Sequence, residues 1–167
     1  EIMFKEIFMT NRKNKDKYYI DIADAVSSRG TCLRRNYGAV IVKEDRIIST
    51  GYTGAPRNCI NCSDIGKCKR EELHIPSGER YELCNSVHAE QNAIIQANGQ
   101  DLIDSTIYIS GRDAKTGKKV DGMPCLICQK MIINAGIKKV IIGLADDDVK
   151  IISISELINN FSNTFQN

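Results

Sequence analysis

A chain of 167 residues is long enough for one domain with a real core and too short for two ordinary ones. With 42% hydrophobic residues, 26% charged and a formal net charge of +2, it falls in the soluble globular range and lacks the basic excess that nucleic acid or another polyanion demands, although a small anionic ligand needs no such excess. No apolar run reaches the roughly 18 residues of a membrane span, and "EIMFKEIFMTNRKNKDKYY" lacks the apolar core and cleavage site of an export signal, so a reducing cytoplasm is the expected setting.

Residues 1–16 read as an irregular lead, with Met9 a candidate alternative start, and 17–167 as one domain. "KDKYYIDIADAVSSRG" places Tyr19, Ile22, Ala23 and Val26 on one helical face and stops at Gly30. "YGAVIVKEDRIISTGY" is two apolar runs around a polar "KED", which predicts a β-hairpin. From Gly54 to Leu83 the chain has no sustained period; a loop of that length inside a compact domain needs something to tie it down. "VHAEQNAIIQANG" predicts a helix ending near Gly99 and "STIYIS" a strand. "GRDAKTGKKVDG" then reads as a polar excursion, and "PCLICQKMIINAG" as a helix with Pro124 at its first position and Gly136 beyond its end. "KKVIIGL" is a strand, and "VKIISISELINNF" a short strand or turn with a terminal helix. This alternation after an initial hairpin predicts an α/β sandwich with a mixed central sheet.

Seven cysteines form an odd set for paired disulfides and suit metal binding or free thiols better. Cys125 and Cys128 stand one helical turn apart at the start of a predicted helix, where backbone amides favour thiolates. With the imidazole of His88 they make a three-ligand set of a kind that holds zinc and leaves a fourth position for water. Glu90, two residues after the histidine, is then placed for general acid and base work. H-x-E followed by P-C-x-x-C is the signature of zinc nucleobase deaminases. The plainer alternative is a closed structural zinc site completed by another cysteine, with Glu90 a surface charge.

"HAEQNAI", "PCLICQKMIINAGIKKVII", "TCLRRNYGAVIV" and "RIISTGYTGAP" together resemble the deoxycytidylate deaminase branch of the cytidine deaminase superfamily, over most of residues 17 to 143. The resemblance implies a three-layer α/β/α sandwich and hydrolysis of dCMP to dUMP and ammonia, supplying dUMP for thymidylate synthesis. It makes His88, Cys125 and Cys128 the ligands of a catalytic zinc and Glu90 the proton shuttle. It also implies a homo-oligomer, and a second, structural zinc on Cys32, Cys62, Cys68 and Cys84. Cys59 is an alternative to Cys62, and His74 a less favoured ligand.

For the substrate, the resemblance places an arginine of "CLRRNYG" at the 5′-phosphate; Arg34 is favoured over Arg35, since a guanidinium fork suits phosphate. Thr53 stands where relatives carry asparagine in G-Y-N-G, and 111–122 is an insertion beside the P-C motif. Rival readings are tRNA adenosine deaminases, which share both metal motifs, other cytosine or nucleobase deaminases, and a non-catalytic zinc-stabilised interaction module. The weak net charge argues against nucleic acid.

Overall fold

The computed structural model describes residues 12–166; Met9 and most of the expected lead lie outside them. Asn14 accepts a hydrogen bond from the Lys17 amide at 2.8 Å, and this cap opens α1 (Lys15–Ser27) just ahead of the expected boundary at residue 17. β1 (Arg35–Lys43) and β2 (Arg46–Tyr52) form the expected antiparallel hairpin. Its turn residues, Glu44 and Asp45, both take positive φ, the geometry that matches the twist of two-residue hairpins. The irregular region contains two one-turn helices, α2 (Cys62–Ile65) and α3 (Lys69–Glu72), and a 3-10 turn over Tyr81–Leu83.

The helix expected to run to Gly99 divides into α4 (Ala89–Gln96) and α5 (Gly99–Leu102). Ala97 is extended, and the Asn98 side chain caps the second piece. β3 (Thr106–Asp113), β4 (Lys119–Val120), α6 (Leu126–Asn134), β5 (Lys139–Gly143), β6 (Val149–Ser153) and α7 (Ile154–Asn163) complete the chain. The polar "GRDAKTGKKVDG" segment is more ordered than its composition predicts. β3 runs through its first residues and returns as β4, with Gly111 opposite Val120 and Arg112 opposite Lys119. The Asp113 carboxylate ties the turn by accepting from the amides of Lys115 and Thr116 at 3.0 and 2.8 Å. Side-chain hydrogen bonds, which leave no apolar period to read, hold this strand in place.

The strand order is β2-β1-β3-β5-β6, with β4 on the end of β3. β3 and β5 run parallel and the other pairs antiparallel, giving the mixed sheet expected. Alternation along the strands sends Ala39, Ile41, Ile107, Ile109, Val140 and Ile142 to one face, under Ala89 and Ala93 of α4, Ile132 of α6 and Leu157 of α7. Val40, Val42, Tyr108 and Ile141 go to the other, under Tyr19, Ile20 and Ala23 of α1. Ile22 and Val26 of the predicted face pack only partly against this cluster. Helices thus cover both faces, and each fully buried aliphatic side chain contributes roughly 1.5–3 kcal/mol.

α4 rests directly on the backbone of β2. A Cβ on Gly51 would stand 2.3 Å from both the Ala89 carbonyl oxygen and the Ala93 nitrogen, so only glycine lets the helix lie this tightly on the strand. Among the described residues, no helix is long and apolar enough to cross a membrane.

Candidate metal centre and adjoining pocket

His88 is the N-cap of α4, outside the helix proper. Its amide donates to Gln91 Oε1 at 2.9 Å, which ties down the helix start. A pair of backbone hydrogen bonds between Gly54 and Val87, at 3.2 and 2.8 Å, fastens the chain before His88 to the end of β2. Asn92 of α4 also donates to the Tyr52 carbonyl at 2.8 Å. Cys125 is likewise an N-cap and Cys128 lies in the first turn of α6. Pro124 therefore precedes the cap instead of occupying the first helical position, contrary to the sequence reading: Cys125 is extended, with ψ 166. A proline's fixed φ suits either place. The Pro124 carbonyl accepts from the buried Gln129 side chain at 2.9 Å, which locks the helix entry.

α4 and α6 pack side by side, and their starting ends meet. His88 Nδ1 lies 3.4 Å from the sulfurs of both Cys125 and Cys128, and the three ligand atoms fall within 4.8 Å of one another. Tetrahedral zinc with ordinary bond lengths would hold sulfur and nitrogen about 3.5 Å apart, so this donor set fits that ion in both chemistry and spacing. The hydrogen bond from Cys128 and the His88 imidazole depress the Cys125 thiol to about 4, while Cys125 and burial push the Cys128 thiol up. Burial alone would lower the His88 pKa, but the hydrogen bond and charge of Cys125 outweigh it and leave it raised.

Glu90, 6% exposed, lies two residues along from the histidine. Burial raises its carboxyl pKa, against the pull of its own backbone amide and of His88. A cavity of about 130 Å³ opens over His88, Glu90 and Cys125, and Arg34, Arg35, Thr53, Arg70 and Tyr81 are among its walls. Residues 111–122 do not reach it; Met123 does.

Both substrate candidates line this pocket, and each also has a partner within the fold. Thr53 is buried on the pocket wall; its hydroxyl accepts from the Tyr37 amide at 3.1 Å and donates to the Tyr37 carbonyl at 3.4 Å, which leaves one acceptor lone pair. Arg34 lies 3.6 Å from Glu71, and Arg35 is exposed at the start of β1. Arg70, Tyr81 and Ser86 are among the wall residues that the sequence does not mark. Arg70 has its guanidinium 4.6 Å over the ring of Tyr81. Tyr81 in turn meets His88 edge to face, with centroids 4.7 Å apart. Ser86 is buried.

Cys32, Cys62, Cys68 and Cys84 line a second cavity, of about 520 Å³, which Arg70 and Ser86 also border; Cys32, Cys68 and Cys84 line the first pocket as well. Among the described residues, only His88, Cys125 and Cys128 converge as tightly as a metal requires; these four surround a space without closing on it. Cys59 and His74 are exposed and outside its lining.

The comparisons with known proteins agree on one family. A family profile described as "Cytidine and deoxycytidylate deaminase zinc-binding region" matches residues 13–144. The chain is 33% identical over 135 residues to the deoxycytidylate deaminase of Mycobacterium phage D29, covering 78% of this chain and 95% of the phage protein. It is 32% identical over 130 residues to the deoxycytidylate deaminase of Schizosaccharomyces pombe, covering 78% of this chain but spanning only 37% of the yeast protein. The solved structure of the dCMP deaminase of cyanophage S-TIM5 in complex with dCMP and dUMP superposes with a TM-score of 0.55 at 25% identity, over 77% of this chain and 82% of that one.

Proposed function

The chain belongs to the cytidine and deoxycytidylate deaminase family, and from that premise we propose that it hydrolyses dCMP to dUMP and ammonia, as one zinc-dependent domain over residues 17–167 in the cytoplasm. The observation that carries the reading is the His88, Cys125 and Cys128 triad with its buried carboxylate neighbour, Glu90, on one pocket wall.

Zinc held by His88 Nδ1, Cys125 Sγ and Cys128 Sγ supplies, when bound, a water that ionises near neutral pH. Glu90 takes the proton on its carboxylate and delivers it to ring N3 of the cytosine, then carries the remaining proton to the departing amino group, so that water is consumed and ammonia released. Tyr81 holds the imidazole plane from its edge, and Gln91 fixes the cap that aims it. Arg34 and Arg35 give the pocket mouth a positive field for an anionic nucleotide. Thr53 shapes the wall through Tyr37.

A second zinc on Cys32, Cys62, Cys68 and Cys84 is part of the same reading. Its support is the cavity these residues share, and two N–H groups aimed at its sulfurs: Arg34 N at 3.4 Å from Cys32 and Asn85 Nδ2 at 3.8 Å from Cys62. The exposure of Cys59 favours Cys62 in the set. Self-association is supported by Met123, Leu126 and Ile127, all exposed at the start of α6, and sedimentation velocity tests it. Ammonia release from dCMP, set beside CMP, deoxycytidine and a tRNA anticodon stem, tests the reaction; turnover of the stem alone, or of none of the four, overturns it.

A further inference from the structure

Arg70 is 6% exposed, yet no ion pair joins it to a described carboxylate. The acidic residues around it in the loop are engaged elsewhere: Glu71 with Arg34 and Lys115, Glu72 with Lys67, Glu82 with Arg80. Its Nη2 donates to the Pro76 carbonyl at 2.7 Å, and its Nε has no partner. One other buried side-chain atom among the described residues shares that condition, Ser86 Oγ. Both residues line the pocket over His88, Glu90 and Cys125.

A buried guanidinium without an ion-pair partner and a buried hydroxyl without a hydrogen-bond partner are each costly, and each calls for a group that completes it. Tyr81 stacks beneath the guanidinium and fixes its plane, so little freedom is lost when an anion docks. By contrast, the Arg34 charge is already shared with Glu71 and that of Arg35 is spread into water.

We propose that Arg70, with the Ser86 hydroxyl, receives the phosphate of the nucleotide, making it the residue that selects a nucleotide over a nucleoside. The proposal rests on the deaminase reading and deepens it. Arg70 and Ser86 also border the thiol-lined cavity, so the rival role is a counter-charge to a thiolate-bound metal there.

Titration calorimetry of the zinc-loaded protein with dUMP and with deoxyuridine, a product pair that undergoes no turnover, separates these roles. Arg70→Met is expected to weaken dUMP binding about 10- to 100-fold, the scale of a hydrogen bond to a charged group. Deoxyuridine binding should change less than about threefold, with zinc content and melting temperature retained. Arg70→Lys, which keeps the charge and loses the fork, should restore part of the difference, and if the methionine variant does not fold this variant alone must still show a selective loss. Equal weakening of both ligands, loss of zinc with selectivity intact, or a selective loss on Arg34→Met instead would each overturn the assignment. Wild-type protein that prefers dUMP over deoxyuridine yet does not deaminate dCMP would overturn the deaminase reading and leave Arg70 standing; no preference for dUMP would overturn both.

Discussion

Two regions of the molecule gather thiols, and they do so by different means. His88, Cys125 and Cys128 sit at the starts of α4 and α6, helices of eight and nine residues pressed on the same face of the sheet. Cys62 and Cys68 sit at the starts of four-residue helices, and Cys32 and Cys84 in the segments leading to β1 and α4. Helices that short do not persist unaided. The first region has its donors in place because the core fixes the elements that carry them. In the second, the sulfurs surround a cavity, and a metal would be what draws the loop together. On that proposal, preorganisation and fastening are separate jobs, done by similar side chains.

The sharpest test of the first job is Glu90→Gln, which should lower dCMP deamination by about 10²- to 10⁴-fold while metal analysis still finds the catalytic zinc. Turnover near the wild-type rate with zinc bound would break the assignment. Next in size is Gly51→Ala. Its methyl group must push α4 off β2, at about 1–3 kcal/mol by the usual scale of overpacking, read by urea denaturation. If the comparison holds, it impairs the catalytic zinc and spares the thiol-lined cavity.

The reverse variant, Cys62→Ser, should remove about one of two zinc ions per chain and open the loop to limited proteolysis, with most deamination kept. Cys59→Ser should change neither, and a zinc loss there would exchange the two cysteines.

The smallest effect belongs to a part remote from both thiol regions. Burial and the hydrogen bond to Asp45 push Tyr19 up to about 12, and burial and Asp16 raise Tyr108 as well. A group with a raised folded pKa stabilises fully below its unfolded value, about 10 for tyrosine, and loses that contribution as pH rises through the folded value. Stability should therefore decline between about pH 10 and 12, and Tyr19→Phe should flatten the slope in denaturation curves taken across that range.

What could be read from the sequence was what depends on near neighbours. The hairpin, the helices and the strands with apolar alternation are local patterns, and H-x-E with P-C-x-x-C is a matter of spacing. The place of Pro124 was not readable, since proline fits before a cap as well as after it. Nor was β4, whose turn is tied by Asp113. "KREE" reads as a solvated charge run, and nothing in it marks Arg70 as buried; that burial depends on Tyr81 and the Pro76 carbonyl, brought in by the loop. Thr53 was legible as a pocket residue, but its engagement with Tyr37 exists only once β1 and β2 are paired.

The position of β3 has a consequence for how the chain reaches this state. It takes β1 on one side and β5 on the other, and its pairing with β1 joins Arg35 to Asp113, a contact that waits on closure of a long intervening loop. His88 precedes β3 and the two thiols come after it. A nascent chain that has emerged only as far as Gly122 therefore carries His88 without Cys125 and Cys128, the sulfurs that complete its triad, whereas α1 and the hairpin are already present. Assembly of the catalytic triad is thereby a late event in biogenesis, later in chain order than Cys32, Cys62, Cys68 and Cys84, and a chain stalled before α6 has no catalytic triad.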